Sequence, residues 1–227
     1  MAKCLLRVTG PEAKSACGTI QLMGGVEVGI EGAIHAMRVL WEEDAQEEDL
    51  GFLLVDKRNV FNEENQTAML WAIRHEWPSG AQFKFNCYRH WATLMVRDTG
   101  DGLSHFLHSK EGVTQGGPLA MIAYGIGVPP LIRELRGAHP RVTQPWYTDD
   151  SGAVRKFSHI LEHLWDLQAR GPSGGYEPDQ KKIILVVAPG NVARAEEFFR
   201  GMGIRVVTGH RYLGGFISDR EAEEKWS

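Results

Sequence analysis

Residues 146–152 read Trp-Tyr-Thr-Asp-Asp-Ser-Gly, a pair of adjacent carboxylates held between aromatics and a Ser-Gly turn signal. Val142 and Thr143 precede this run and Ala153 and Val154 follow it, so apolar or β-prone residues flank a polar centre. The pattern predicts a β-hairpin with Asp149 and Asp150 at its tip. Like charges side by side repel, so a tip of this kind favours a bound cation. Carboxylate oxygens suit Mg²⁺ or Mn²⁺ rather than zinc. Taken alone, Asp-Asp before Ser-Gly is better read as a solvated turn, and the rest of the chain has to overturn that reading.

A second carboxylate position stands out. Residues 51–55, Gly-Phe-Leu-Leu-Val, form a short apolar run bounded by charge, with Asp56 at its C-terminal end. Length and composition predict a buried strand. A carboxylate at the end of such a strand needs a cation or hydrogen bonds. Asp56 beside Asp149 and Asp150 would make a three-carboxylate cluster able to hold two divalent ions about 3.5–4 Å apart, the arrangement that supports in-line phosphoryl transfer.

Around these strands the hydrophobic periodicity predicts helices over 30–41, 62–76, 119–128, 131–136, 158–170 and 191–200. Ser158 and Asn191 read as N-caps of the last two, and Pro78 as the stop after the second. Strands are expected over 82–88, 92–97, 103–107 and 183–187, with a final hairpin of 204–207 and 212–217 around Gly209-His210. The expected fold class is α+β, an antiparallel sheet carrying the carboxylates with helices packed on one face.

The chain of 227 residues has a formal net charge of −4, which is not the footprint of a stand-alone nucleic-acid binder. Any grip on nucleic acid must therefore be local or supplied by another part. No apolar run approaches bilayer-spanning length, so no membrane partner is expected. Cys4, Cys17 and Cys87 are odd in number and lack C-x-x-C spacing. A reducing intracellular setting, nucleus or cytoplasm, is the expectation.

The spread of motifs resembles the palm domain of reverse transcriptases, especially those of non-LTR-type retroelements. Leu54-Val-Asp56-Lys-Arg-Asn-Val-Phe61-Asn62 is similar to motif A, and Glu111-Gly-Val-Thr-Gln115-Gly116-Gly-Pro118-Leu to motif B. Tyr147-Thr-Asp149-Asp150 resembles motif C, Gly175-Tyr-Glu-Pro-Asp-Gln-Lys-Lys182 motif D, and Tyr212-Leu-Gly-Gly-Phe-Ile217 motif E. All five follow the family's order. The resemblance implies an RNA-directed DNA polymerase acting on an RNA template, a DNA primer and dNTPs, with two Mg²⁺ or Mn²⁺ ions. It implies Asp56 and Asp149 as metal ligands supported by Asp150, and Lys182 as the proton donor to the leaving pyrophosphate. Phe61, Asn62, Gln115 and Gly116 would line the incoming nucleotide, with the Phe61 ring excluding a ribose 2′-hydroxyl. Tyr212, Leu213 and Gly214 would belong to the primer grip.

Two motif positions depart from the common family pattern: Gly117 stands where an Asp is usual, and Thr148 where Ala or Met is usual. Only 55 residues precede Asp56 and ten follow Ile217. The expected organisation is thus a fingers remnant over 1–50, a palm over 51–217 and a tail over 218–227, with fingers truncated and thumb absent. Two other readings compete. A catalytically silent palm could bind nucleic acid or protein, its seven tryptophans supplying sticky surface wherever they are exposed. His159-Ile-Leu-Glu162-His163 matches the inverted zinc-protease signature, with a third ligand to be sought among Glu196, Glu197 and Glu221.

Overall fold

A computed structural model describes residues 1–20, 29–44, 47–59, 61–97, 100, 102–114 and 116–218. Its centre is β1 (Leu50–Asp56), the middle strand of a five-stranded sheet. The other strands are β4 (Trp146–Tyr147), β5 (Asp150–Lys156), β6 (Ile184–Val186) and β7 (Arg205–Val207), in the order β4-β5-β1-β6-β7. Neighbours run antiparallel except β6 and β7, which are parallel.

The apolar run of β1 is buried on both faces, as its lack of alternation predicts. Leu53 and Val55 face α6 (Pro129–Ala138) and α7 (Phe157–Arg170), packing with Ile132, Leu135, Phe157, Ile160 and Leu164. Phe52 and Leu54 face the other way, against Met37 and Trp41 of α2 (Gly29–Asp44) and Tyr212 and Ile217. Each such fully buried side chain contributes about 1.5–3 kcal/mol. Helices therefore cover both faces of the sheet rather than one, because a central strand without a polar face needs two apolar layers.

A second core joins α1 (Ala2–Cys17), α3 (Gln66–Glu76) and α5 (Ala120–Gly127) through Ala13, Cys17, Met69, Ile73, Ala123 and Ile126. Beside it lie α4 (Pro78–Tyr88) and the separate hairpin of β2 (Ala92–Arg97) and β3 (Ser104–Ser109). The short α8 (Val192–Phe198) precedes β7, and β8 (Gly209–Tyr212) pairs with β9 (Gly215–Ser218). No helix among the described residues is long and apolar enough to cross a membrane.

Several local expectations are overturned. Residues 82–88 alternate apolar and polar like a strand, yet they form the second half of α4. Pro78 occupies the first helical turn, where its missing N–H costs nothing. Consequently Phe85 is exposed and Lys84 buried, the reverse of what alternation implies. The last hairpin turns at Leu213-Gly214, both at positive φ, and not at Gly209-His210. Two successive left-handed residues match the twist of a two-residue hairpin, so the Gly214-Gly215 pair was the informative signal. Residues 205–207 instead pair in parallel with β6. Ser158 lies inside the first turn of α7 and makes no capping bond, and Asn191 makes none to α8 but donates to the Glu47 carbonyl at 3.0 Å.

Candidate active site

The antiparallel register of β1 and β5 sets Asp56 directly opposite Asp150. Tyr147 pairs with the same Asp150 across the β4–β5 hairpin. The turn itself is therefore Thr148-Asp149, one residue earlier than the sequence suggested, and Asp150 is the first residue of a strand. Thr148 sits at φ 51°, a left-handed conformation uncommon outside glycine, asparagine and aspartate. Lys57 N–H donates to the Asp149 carbonyl at 3.2 Å, tying the turn to the end of β1.

The segment carrying Lys182 crosses the same end. Asp179 N–H donates to the Asp56 carbonyl at 2.9 Å, and Asp179 also caps the 3₁₀ turn Gln180–Lys182 with its side chain on Lys181 N–H. Lys182 Nζ is thereby placed 2.6 Å from Asp56 Oδ2. The ion pair raises the Lys182 pKa. Desolvation, then the charges of Asp149 and Asp56, push the Asp150 carboxyl up to about 6. Asp149 is also raised, by desolvation first and by Asp56 next, against the pull of its own backbone N–H.

Asp56, Asp150, Lys181, Lys182, Tyr212 and Leu213 line one cavity of about 310 Å³ together with Arg205, His210 and Arg211. Two of the three sequence-nominated carboxylates, Asp56 and Asp150, thus converge with the lysine and the final hairpin from four separate segments, while Asp149, on the adjoining turn, does not line this cavity. Tyr212 packs its ring edge-on against Phe52, with centroids 5.3 Å apart, while the half-buried Leu213 and the exposed Gly214 form the turn. Phe61 and Asn62 do not line this cavity. They line a second one of about 420 Å³, with Gly112, Val113, Thr114, Gly117 and Pro118 of the motif B loop and the buried Lys84. That loop is clamped on by Val113 N–H to Phe61 O (2.6 Å) and Gly112 N–H to Glu64 O (2.7 Å). Gly112 has φ 84°, and a Cβ there would stand 2.5 Å from the Phe61 carbonyl, so only glycine lets the loop approach. Gly116 is exposed on the same loop, and Gln115 lies outside the described residues.

Residues not nominated from sequence underlie the site. Lys57, next to Asp56, points into the core and forms an ion pair with Glu64 at 3.2 Å, the two side chains 0% and 1% exposed. Its ammonium lies 4.6 Å from the Tyr124 ring centroid and 5.9 Å from that of Tyr176. Burial pushes the Glu64 carboxyl up to about 7 and the Lys57 ammonium down, each opposed by the partner. A lysine after an aspartate at a strand end reads as solvent-facing. Only the packing of 61–66 beneath β1 shows otherwise.

The zinc-protease reading gains no support. His163 is buried with its ring edge against His139, and burial drives its pKa down to about 4. His159 Nε2 lies 3.5 Å from the Arg141 guanidinium, a cation where a metal would have to sit, and Glu162 is exposed. Among the described residues no group of three or more His, Cys, Asp or Glu side chains is gathered closely enough to hold a metal as it stands. This covers the aspartates too, whose near-neighbour cation is Lys182. Of the tryptophans, Trp71, Trp91 and Trp165 are exposed, Trp41, Trp77 and Trp146 are core, and Trp226 lies outside the described residues.

The raised Asp150 carboxyl predicts a pH signature in metal-free protein. A folded-state pKa above the unfolded value contributes stability that is complete below the unfolded pKa and lost as pH rises through about 6. Lowering pH from about 7.5 to about 5.5 should therefore favour the folded wild type over Asp150→Asn by about 1 kcal/mol after solvent screening. Paired thermal melts check this; parallel pH profiles for the two proteins would refute it.

No protein-family model matches the chain, and no curated protein does. Solved telomerase structures match its fold. Apo telomerase from Candida tropicalis superposes with a TM-score of 0.65 at 12% identity, over 96% of this chain and 39% of that one. The C. tropicalis telomerase in complex with a TWJ fragment of telomeric RNA gives 0.59 at 15% identity, over 80% and 33%. The Candida albicans telomerase with a TWJ fragment gives 0.54 at 15% identity, over 82% and 34%. The chain thus spans about two-fifths or less of the telomerase chains it matches, and it has a telomerase-like polymerase fold.

Proposed function

We propose that the chain is the palm of a reverse-transcriptase-type RNA-directed DNA polymerase of a non-LTR-type retroelement, extending a DNA primer on an RNA template with dNTPs. One observation carries the reading: the register that opposes Asp56 to Asp150 within a telomerase-like fold, with Lys182, Tyr212 and Leu213 on the same cavity. The palm in this reading is residues 51–217, preceded by an N-terminal helical segment.

The donor set suits two Mg²⁺ or Mn²⁺ ions in kind: all-oxygen, with carboxyls raised first by desolvation and then by mutual repulsion, a repulsion that a cation would relieve. Asp56, Asp149 and Asp150 would hold them. Bound there, such ions would lower the pKa of an attacking 3′-hydroxyl and neutralise charge on the leaving pyrophosphate. Lys182, released from Asp56, stands at the site edge as proton donor to that leaving group. Phe61, Asn62, Gln115 and Gly116 would orient the nucleotide from the second cavity, which Phe61 and Asn62 line apart from the aspartates, the Phe61 ring excluding a 2′-hydroxyl, and the residues 212–214 would hold the primer end.

Incubated with an RNA template, an annealed DNA primer, dNTPs and Mg²⁺ or Mn²⁺, the chain is expected to extend the primer and to reject ribonucleotides. Absence of dNTP incorporation with either ion would remove the reading for this chain. It would leave the silent binding module, which the Lys182 ion pair on Asp56 and the exposed Trp71, Trp91 and Trp165 favour.

A further inference from the structure

The turn that carries Asp149 is short, and Thr148 holds a left-handed backbone without being glycine. Such conformations persist only where the surroundings over-determine them. The over-determination comes from a pair of buried tyrosines in distant segments. Tyr124 of α5 donates its hydroxyl to the Thr148 carbonyl at 2.7 Å. Tyr176, in the loop before the Lys182 turn, has its hydroxyl 2.8 Å from the Asp149 carbonyl, 3.2 Å from the Val55 carbonyl and 3.0 Å from Ser151 Oγ. A phenol has one hydrogen to give and can accept. The Tyr176 hydrogen therefore goes to the carbonyls of Asp149 and Val55, and Ser151 donates to the Tyr176 oxygen.

Both rings are fully buried, so neither hydroxyl has water as an alternative partner. Trp146 packs edge-on against Tyr176 with centroids 5.3 Å apart, and Phe61 against Tyr124 at 5.9 Å. The buried Lys57 ammonium lies against the faces of both rings. Consecutive carbonyls of the Thr148-Asp149 turn are thus pinned from below, and the Asp149 side chain has its backbone fixed on both sides. Tyr176 also spans β1 and β5 at the Val55–Ser151 pair, the register position next to the opposed Asp56 and Asp150.

We infer that Tyr124 and Tyr176 are positioning residues that hold the Asp149 carboxylate at the geometry the site requires. The inference rests on the polymerase reading for its kinetic consequence and on hydrogen bonds alone for its structural one. Tyr176→Phe and Tyr124→Phe keep the rings and delete only the hydroxyls. Each is expected to lower kcat for dNTP incorporation by about 10-fold, and the pair by about 100-fold, since small misplacements of a reacting group are costly. The KM for dNTP should stay within about two-fold, while half-saturating Mn²⁺ rises several-fold. A core variant of comparable stability loss, Ile160→Val in α7, should leave kcat and the Mn²⁺ response at wild-type values. Amide exchange of Lys57, whose N–H bonds the Asp149 carbonyl, should speed up in Tyr176→Phe while that of Leu53 does not.

These readouts separate the ideas. If wild-type protein incorporates nothing, the polymerase reading fails and the exchange of Lys57 still decides whether the hydroxyls hold the turn. If wild type is active and both Phe variants keep its kcat and Mn²⁺ dependence, or if Lys57 exchange is unchanged, the inference is overturned.

Discussion

Asp56→Asn should lower primer extension by on the order of 10³-fold or more while leaving the melting temperature near or above that of wild type. The two halves have one electrostatic origin. Asp56 adds unfavourable charge to both Asp149 and Asp150, so removing it relieves repulsion in metal-free protein. What is lost in exchange is the Lys182 ion pair, an exposed contact worth about 0–1 kcal/mol. A residue whose removal destroys activity without cost to the fold is held for function. Asp149→Asn should lose activity comparably. Incorporation retained above about a tenth in Asp56→Asn, or a loss matched by a large fall in melting temperature, would count against the role given to this carboxylate.

Glu64→Ala is expected to cost about 3–5 kcal/mol, because it leaves the Lys57 ammonium buried with its carboxylate partner gone. The pair is not a strong stabiliser in itself. Glu64 Oε1 has no hydrogen-bond partner among the described residues, and desolvation already works against both ionised forms. Replacing both, as Lys57→Met with Glu64→Leu, should therefore recover most of the loss. Urea denaturation at constant m-value measures it. A cost below about 1 kcal/mol for Glu64→Ala would mean that water reaches Lys57, and failure of the double variant to recover would mean that the ion pair itself holds 61–66 under β1. Gly127 leaves little slack here, since a Cβ at that position would meet Glu64 Oε1 at 2.5 Å.

Much of the site was legible because its residues sit at strand ends and turns whose local signals are strong. The apolar run 51–55 announces a buried strand and so puts Asp56 at an edge. The β-prone flanks of Asp149-Asp150 announce a hairpin. The supporting layer was not legible for the opposite reason. Tyr176 bonds Val55 across 121 positions of sequence, and Tyr124 bonds Thr148 across 24, so no local pattern links them. The helix over 78–88 was hidden by accidental alternation of Phe83, Phe85 and Cys87, a period that a short segment can carry without being a strand. The final hairpin was misplaced because Gly209 drew the turn away from Gly214-Gly215.

Sequence alone determined which chemical groups are available: carboxylates at 56, 149 and 150, a lysine at 182, and glycine at 112 where no side chain fits. Hydrophobic period and turn chemistry act over a few residues, and they suffice to fix where each group sits on its own element. Tertiary structure decided what those groups meet. It set Asp150 rather than Asp149 opposite Asp56, seated Lys182 on that same Asp56, and put Phe61 on a different cavity. It also placed a buried ion pair and two phenols beneath the turn. Register and burial are properties of several segments packed together, and they exist only once the chain has closed on itself.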